Sequence, residues 1–255
     1  MARWILKAAN SLLNWIVIVS LCIAGTYAGY ALWDNSQVYA AAQNVQADMI
    51  KLKPVRADSG EKGASFEELL AVNPDVCAWV TVDNTNIDFP ILQGETNLTY
   101  INKDVFGNFA LAGSIFLDTR NSRDFHDTVS LLYGHHMDEG DMFGDLDKFK
   151  DEAFFKENKT GLLILPDRVY DLEIFACILV NASEDMIFEP HEHQADINRL
   201  LDFTKQNAMH YDEDKMSELS RSEGETQLLL LSTCSSEFTD ARTIVLTEMK
   251  PRSSR

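Results

Sequence analysis

Between Leu12 and Trp33 the chain reads LLNWIVIVSLCIAGTYAGYALW, without one charged residue. A helix of about 20 apolar residues is long enough to cross a bilayer. The run exceeds the apolar region of a cleaved leader, although AGTYAGYA keeps something of the small-residue exit such leaders carry. Arg3 and Lys7 precede it and Asp34 follows it. Positive charge on the N-terminal side places the N-terminus in the cytoplasm and the remaining chain outside. The expected layout is a cytoplasmic stretch (1–11), a membrane helix (12–33), a helical linker (34–72) and a folded external domain (73–255).

The rest of the composition narrows the classes available to that domain. With 255 residues, 45% of them hydrophobic, the chain can bury a substantial core. A net charge of −18 leaves no surplus to neutralise phosphates and argues against a nucleic-acid binder. Apart from Arg3 and Lys7, 20 basic residues stand against 40 acidic ones, so anionic lipid would repel the domain without its tether. Of four cysteines, Cys22 lies in the apolar run, and the other three do not pair off. At least one thiol is then free in a monomer. Cys77 (DVCAWV) and Cys177 (IFACILV) fall in apolar strand patterns and read as small core residues. The triplet His191–Glu192–His193 has no neighbouring cysteine and reads as an acidic turn rather than a metal site.

Strand patterns dominate the external part. AWVTVDN, IDFPILQG, SIFLDTR, VSLLYG, GLLILPD, VYDLEIFACILV, TQLLLLSTC and RTIVLTEM are short, β-branched or apolar, and separated by turn residues. About eight such strands predict an all-β barrel or sandwich. Ahead of them, helix formers from Ser36 run to Pro54, and 56–65 reads as a flexible connection. SFEELLAVNPD then reads as a short helix with a capping box from Ser65 to Glu68, stopped at Asn73–Pro74. Helical stretches are also expected over 140–158 and 193–210.

The chemistry concentrates in three places. In LLLLSTCSSEFTDARTIVL an apolar strand ends at Cys234, and a second begins just after Arg242. LLYGHHMDEGDMFGDL places His135 and His136 directly after another strand. A thiolate is a nucleophile and a histidine its natural proton partner. An arginine, always charged, can hold a carbonyl and the oxyanion formed from it.

LLSTC followed by Arg242, with YGHHM…MFGDL…F upstream, resembles the sortases, cysteine transpeptidases of Gram-positive bacterial surfaces. The resemblance covers roughly Asn73 to Met249. NPDVCAWVTVDNTNIDFPILQGETNLTYINKD and GSIFLDTRN are similar to the class B branch in particular. It implies a mainly β fold: a sortase-type closed barrel of about eight strands, an N-terminal helical subdomain and a long helix (near 192–210) between late strands. It places the catalytic trio on His135, rather than His136, with Cys234 and Arg242. One departure is Leu230, where the family carries a threonine four residues before the cysteine. That position bears on strand packing more than on chemistry.

The resemblance further implies attack of Cys234 on a threonine carbonyl in a C-terminal sorting motif of a secreted protein. The thioester would pass to an amine of a peptidoglycan precursor, with no cofactor and no metal. A free cysteine has a pKa of about 8.5 and a free histidine about 6.5, so thiolate and imidazolium coexist in few molecules and turnover should be slow. By position in the class B pattern, Asn97, Ile101, Tyr133, Ile187 and Ser232 should line the substrate groove. Three other readings compete: a pilin-polymerising sortase with a lysine acceptor, a plain cysteine protease, and a non-catalytic cell-wall binding module. The pilin branch often carries an Asp-Pro-aromatic lid and a C-terminal span, and the basic end MKPRSSR matches neither. The tether argues against the protease, and the intact Cys–His–Arg set against the binding module.

Overall fold

The computed structural model describes residues 2–54, 65–137, 140–193, 197–222, 226–234 and 240–252. Two compact units divide the chain, Met1–Ala41 and Ala42–Arg255. The expected connection over 56–64 lies outside the described residues.

A continuous helix, α1 (Ala2–Ile50), makes up the first unit and enters the second. It is long and apolar enough to cross a membrane, and the side chains of its apolar window are not buried in protein. The helix expected beyond Ser36 continues the apolar one without a break, as its run of helix formers implies. Pro54, which has no N–H to donate, follows its end. Within the second unit, Met49 at the end of α1 is buried in a cluster with Phe66, Leu69, Val76 and Trp79. Phe66 and Leu69 belong to α2 (Phe66–Val72). The entry to α2 is closed reciprocally: the Ser65 N–H donates to the Glu68 carboxylate at 3.1 Å, and the Glu68 N–H to the Ser65 carbonyl at 3.1 Å.

All eight expected strands form: β1 (Val76–Val82), β2 (Asp88–Leu92), β3 (Ile115–Leu117), β4 (Val129–Tyr133), β5 (Thr160–Ile164), β6 (Val169–Asn181), β8 (Leu228–Cys234) and β9 (Ala241–Pro251). A ninth, β7 (Ala208–Tyr211), was not apparent from the sequence. Pairing runs β5-β1-β2-β3-β4-β8-β9-β6, and β6 returns to β5, which closes an eight-stranded barrel. Closure depends on the length of β6. Its first half pairs β5 from Val169 to Glu173, its second half carries β7 on the same edge, and β9 follows its other edge throughout. Two pairings are parallel, β2–β3 and β4–β8; the rest are antiparallel.

The run of four leucines in β8 follows from burial on both faces. Leu228 and Leu230 lie in a cluster with Leu200 and Leu201 of α5 (Asn198–Asn207) and with Met216 and Leu219 of α6 (Glu213–Leu219). Leu229 and Leu231, on the alternate face, are equally buried. A strand covered on both sides has no polar alternation to show.

Two helical expectations change in extent. The stretch 140–158 resolves into a 3-10 segment, Gly144–Lys150, and α3 (Glu152–Glu157). The long helix near 192–210 is only α5, because the residues after Asn207 turn into β7 and pair with the free edge of β6. A short helix, α4 (Asp185–Phe188), precedes it.

Candidate active site

Three adjacent strands carry the three residues singled out in the sequence. In the β4–β8 pair, Tyr133 lies opposite Ser232, and the Gly134 N–H extends the ladder by donating to the Ser232 carbonyl at 3.1 Å. Two residues further along each chain stand His135 and Cys234. Across the next pair, Cys234 is the register partner of Arg242. The backbone thus sets His135, Cys234 and Arg242 side by side at one end of the barrel.

The turn that delivers His135 needs Gly134. A Cβ there would come within 2.5 Å of Ile115 Cδ1 and 2.7 Å of the Phe143 ring. The returning chain holds the turn, since the Phe143 N–H donates to the His135 carbonyl at 3.0 Å. The His135 ring is half-buried, with Nε2 2.7 Å from the Ile101 carbonyl. A carbonyl can only accept, so Nε2 carries a hydrogen and donates it. Arg242 is half-buried as well. Among the described residues its side chain makes one hydrogen bond, from Nη1 to the Ala241 carbonyl at 2.9 Å.

His136 points to different chemistry. Its Nε2 lies 3.1 Å from Asp147 Oδ2 in the 3-10 segment. The other oxygen of Asp147 accepts from Thr243 Oγ1 at 2.9 Å and from Lys150 at 2.8 Å. Burial alone would raise this carboxyl, but the bonds from His136, Lys150 and Thr243 outweigh it and hold the pKa down at about 2.

The expected substrate contacts divide. Asn97 and Tyr133 meet on one buried carboxylate, Asp118, each donating to Oδ2 at 2.9 Å. Asp118 is 0% exposed and is also gripped by Arg120, from Nε at 2.9 Å and Nη2 at 2.8 Å. Burial pushes the Asp118 carboxyl up, yet the Arg120 and Tyr133 bonds prevail and keep it below its usual value. Burial, followed by the Asp118 charge, moves the Tyr133 phenol well above its ordinary range. Tyr133 also stacks between Phe116 and Phe188, at 5.2 and 6.3 Å between ring centres. Ile101 is partly buried against the α1–α2 core cluster and presents its carbonyl to His135.

Ile187 and Ser232 are both buried among the described residues. Ile187 is 0% exposed within the cluster under α5, and Ser232, 2% exposed, is enclosed between β4 and β9. An apolar side chain at α4 gains more from that cluster than from water.

Cys77 and Cys177 are buried, and burial pushes the Cys77 thiol up to about 12. His191 is exposed, 3.5 Å from Glu189. Among the described residues no three His, Cys, Asp or Glu side chains gather to hold a metal ion. Sequence reasoning passed over Asp118, Arg120 and Asp147. Their only signals were an aspartate closing the apolar run SIFLD and the mixture of acidic and basic residues in GDLDKFKDE.

A closed barrel with cysteine, histidine and arginine at one end is the arrangement of a thiol-dependent acyl transferase. The sortase domain family model matches residues 80–250. Sortase B of Listeria monocytogenes is 29% identical over 225 residues, covering 88% of this chain and 89% of that protein. A Streptococcus pyogenes class B sortase involved in pilus biogenesis is 40% identical, with a TM-score of 0.67, over 74% of this chain and 100% of that one. Sortase B from the type II pilus of Streptococcus pneumoniae is 33% identical, with a TM-score of 0.60, again over 74% and 100%. The chain belongs to the sortase family, in its class B branch, and is a cysteine transpeptidase.

Proposed function

We propose that the chain is a membrane-tethered sortase that cleaves a C-terminal sorting motif of secreted proteins and transfers them to an amine of the peptidoglycan precursor. The observation that carries this reading is the register pair Cys234–Arg242, in which Arg242 uses one of its five N–H donors among the described residues. The Cys234 thiolate attacks the carbonyl carbon of the motif's threonine. Electrons move onto the carbonyl oxygen, and Arg242 donates to the resulting oxyanion. As the tetrahedral centre collapses, the C–N bond breaks and His135 gives its proton to the departing amine. An incoming amine then attacks the thioester, returns a proton to His135 and releases the thiolate. Asn97 and Tyr133, fixed on Asp118, are suited to hold the peptide beside the cysteine. Arg3 and Lys7 favour a cytoplasmic N-terminus, with the barrel outside.

A second reading differs in the acceptor. The relatives linked to pili, at 40% and 33% identity, exceed the curated Sortase B of Listeria at 29%, which favours a pilin lysine. Both are tested by incubating the full chain in detergent micelles with fluorescent sorting peptides and rival amines. Transfer to a precursor-stem amine supports wall anchoring, and transfer to a pilin lysine alone supports the second reading. Cleavage unaffected by any amine would contradict both.

A further inference from the structure

Asp147 is absent from the chemical steps above, yet it touches the chain on both sides of them. Its carboxylate bonds His136, the residue after His135, and Thr243, the residue after Arg242. One side chain therefore joins the loop beyond β4 to β9, across the β8 strand that ends in Cys234. Thr243 is fully buried, and successive residues of a strand face opposite ways. Holding Thr243 on one face consequently fixes the roll of the strand that presents Arg242 on the other. At the His135 end, the loop carrying His136 makes a backbone bridge to Met142, two residues before the 3-10 segment. The segment itself approaches so closely that a Cβ on Gly144 would lie 2.1 Å from the Met137 carbonyl oxygen. Its position is set by backbone packing, which makes Asp147 a firm reference point.

We propose that Asp147 is a positioning residue that fixes the spacing between His135 and Arg242, a role that rests on the transpeptidase reading above. It touches neither substrate nor reacting atoms. It acts through His136 and Thr243, and its removal should lower turnover while leaving peptide binding largely intact. A displacement of about 1 Å in a catalytic group can cost about 10²-fold in rate.

The test uses the full chain in detergent micelles, with kcat, KM and the unfolding midpoint measured for Asp147→Asn, Thr243→Val, Thr243→Ser and the Asp147→Asn/Thr243→Val pair. Asp147→Asn should lower kcat about tenfold with KM within about twofold and an intact folding transition, consistent with a displacement smaller than that limit. Thr243→Val should lose part of this, and Thr243→Ser, which keeps the hydroxyl, should recover it. The double variant should be no slower than Asp147→Asn alone, because both changes break one connection. Wild-type kcat in Asp147→Asn, fully additive losses, or a kcat loss that merely tracks a lowered unfolding midpoint would each overturn the proposal. Cys234→Ala serves as the control on the underlying reading. Transfer by that variant would sink the transpeptidase assignment, whereas an inert Cys234→Ala beside a fully active Asp147→Asn removes only the role of Asp147.

Discussion

Arg120 follows β3 and Arg242 opens β9, and the two guanidinium groups are used in opposite ways. Arg120 reaches both oxygens of Asp118 through Nε and Nη2, and also binds the Glu189 carboxylate and the Phe188 carbonyl. It ties β3 to the segment after α4 and supports the carboxylate on which Asn97 and Tyr133 rest. Arg242 makes one bond among the described residues, to the carbonyl of its own neighbour. A cation saturated by protein acceptors has little left to offer a ligand. One that spends a single donor among the described residues can meet a charge that appears only during reaction. Exposure does not separate the pair, since the Arg120 side chain is still 35% exposed; commitment does.

The comparison breaks first if Arg242 proves dispensable. Arg242→Ala should lose about 10²–10³ in kcat, the usual effect of removing one oxyanion donor. Arg242→Lys should lose nearly as much, because an ammonium cannot reproduce the planar fork. Single-turnover peptide cleavage checks both, with intact unfolding transitions expected. A lysine variant near wild-type rate would reduce Arg242 to a general source of positive potential.

Arg120→Ala should show the reverse pattern. It strips the fully buried Asp118 of its principal counter-charge. Because the Arg120 side chain is itself 35% exposed, the loss should stay below about 3 kcal/mol, at which the cost of breaking a wholly buried pair begins. Denaturant unfolding should register that loss, while kcat falls less than in Arg242→Ala. Equal kcat losses in the two variants would erase the distinction between them.

The thiols sharpen the same contrast. With Cys77 pushed up to about 12 and both Cys77 and Cys177 buried, neither should react with iodoacetamide at pH 8 in the folded chain. In a Cys22→Ala background, mass mapping should find only Cys234 labelled until the protein is unfolded. Early labelling of Cys77 would contradict its place in the core.

The smallest effect concerns acid. Asp147 has its pKa lowered from 3.8 to about 2, so its ionised form stabilises the folded state above about pH 4. That contribution is lost as the pH falls from about 4 toward 2. The difference in unfolding free energy between wild type and Asp147→Asn should be constant above pH 4 and shrink below it. A difference that grows on acidification would have the wrong sign.

Much of the barrel was legible because burial leaves a direct mark on composition. The LLLL run of β8 fits a strand covered on both faces, and IFACILV marked the heart of β6. β7 left no such mark. AMHY is four residues long, follows a helix without a break, and becomes a strand only because β6 has a free edge beside it. The helix expected near 192–210 was overextended for the same reason. Cys234 and Arg242 could be paired in advance because the two strands are consecutive and antiparallel. The Asp118 cluster could not, since Tyr133 reaches Asp118 only through the β3–β4 register and Asn97 reaches it from the long connection between β2 and β3. The burial of Ile187 was not legible either, because its polar neighbourhood, IFEPHEH, hides the apolar cluster that receives it.

The most direct test of the central claim is to trap the acyl-enzyme. The full chain in micelles would be mixed with a sorting peptide in the absence of amine, quenched in acid, digested and mapped by mass. The N-terminal fragment of the peptide is expected on Cys234 as a thioester, released by hydroxylamine and absent from Cys234→Ala. Peptide cleavage with no adduct on Cys234, or an adduct on Cys77 or Cys177 instead, would contradict it.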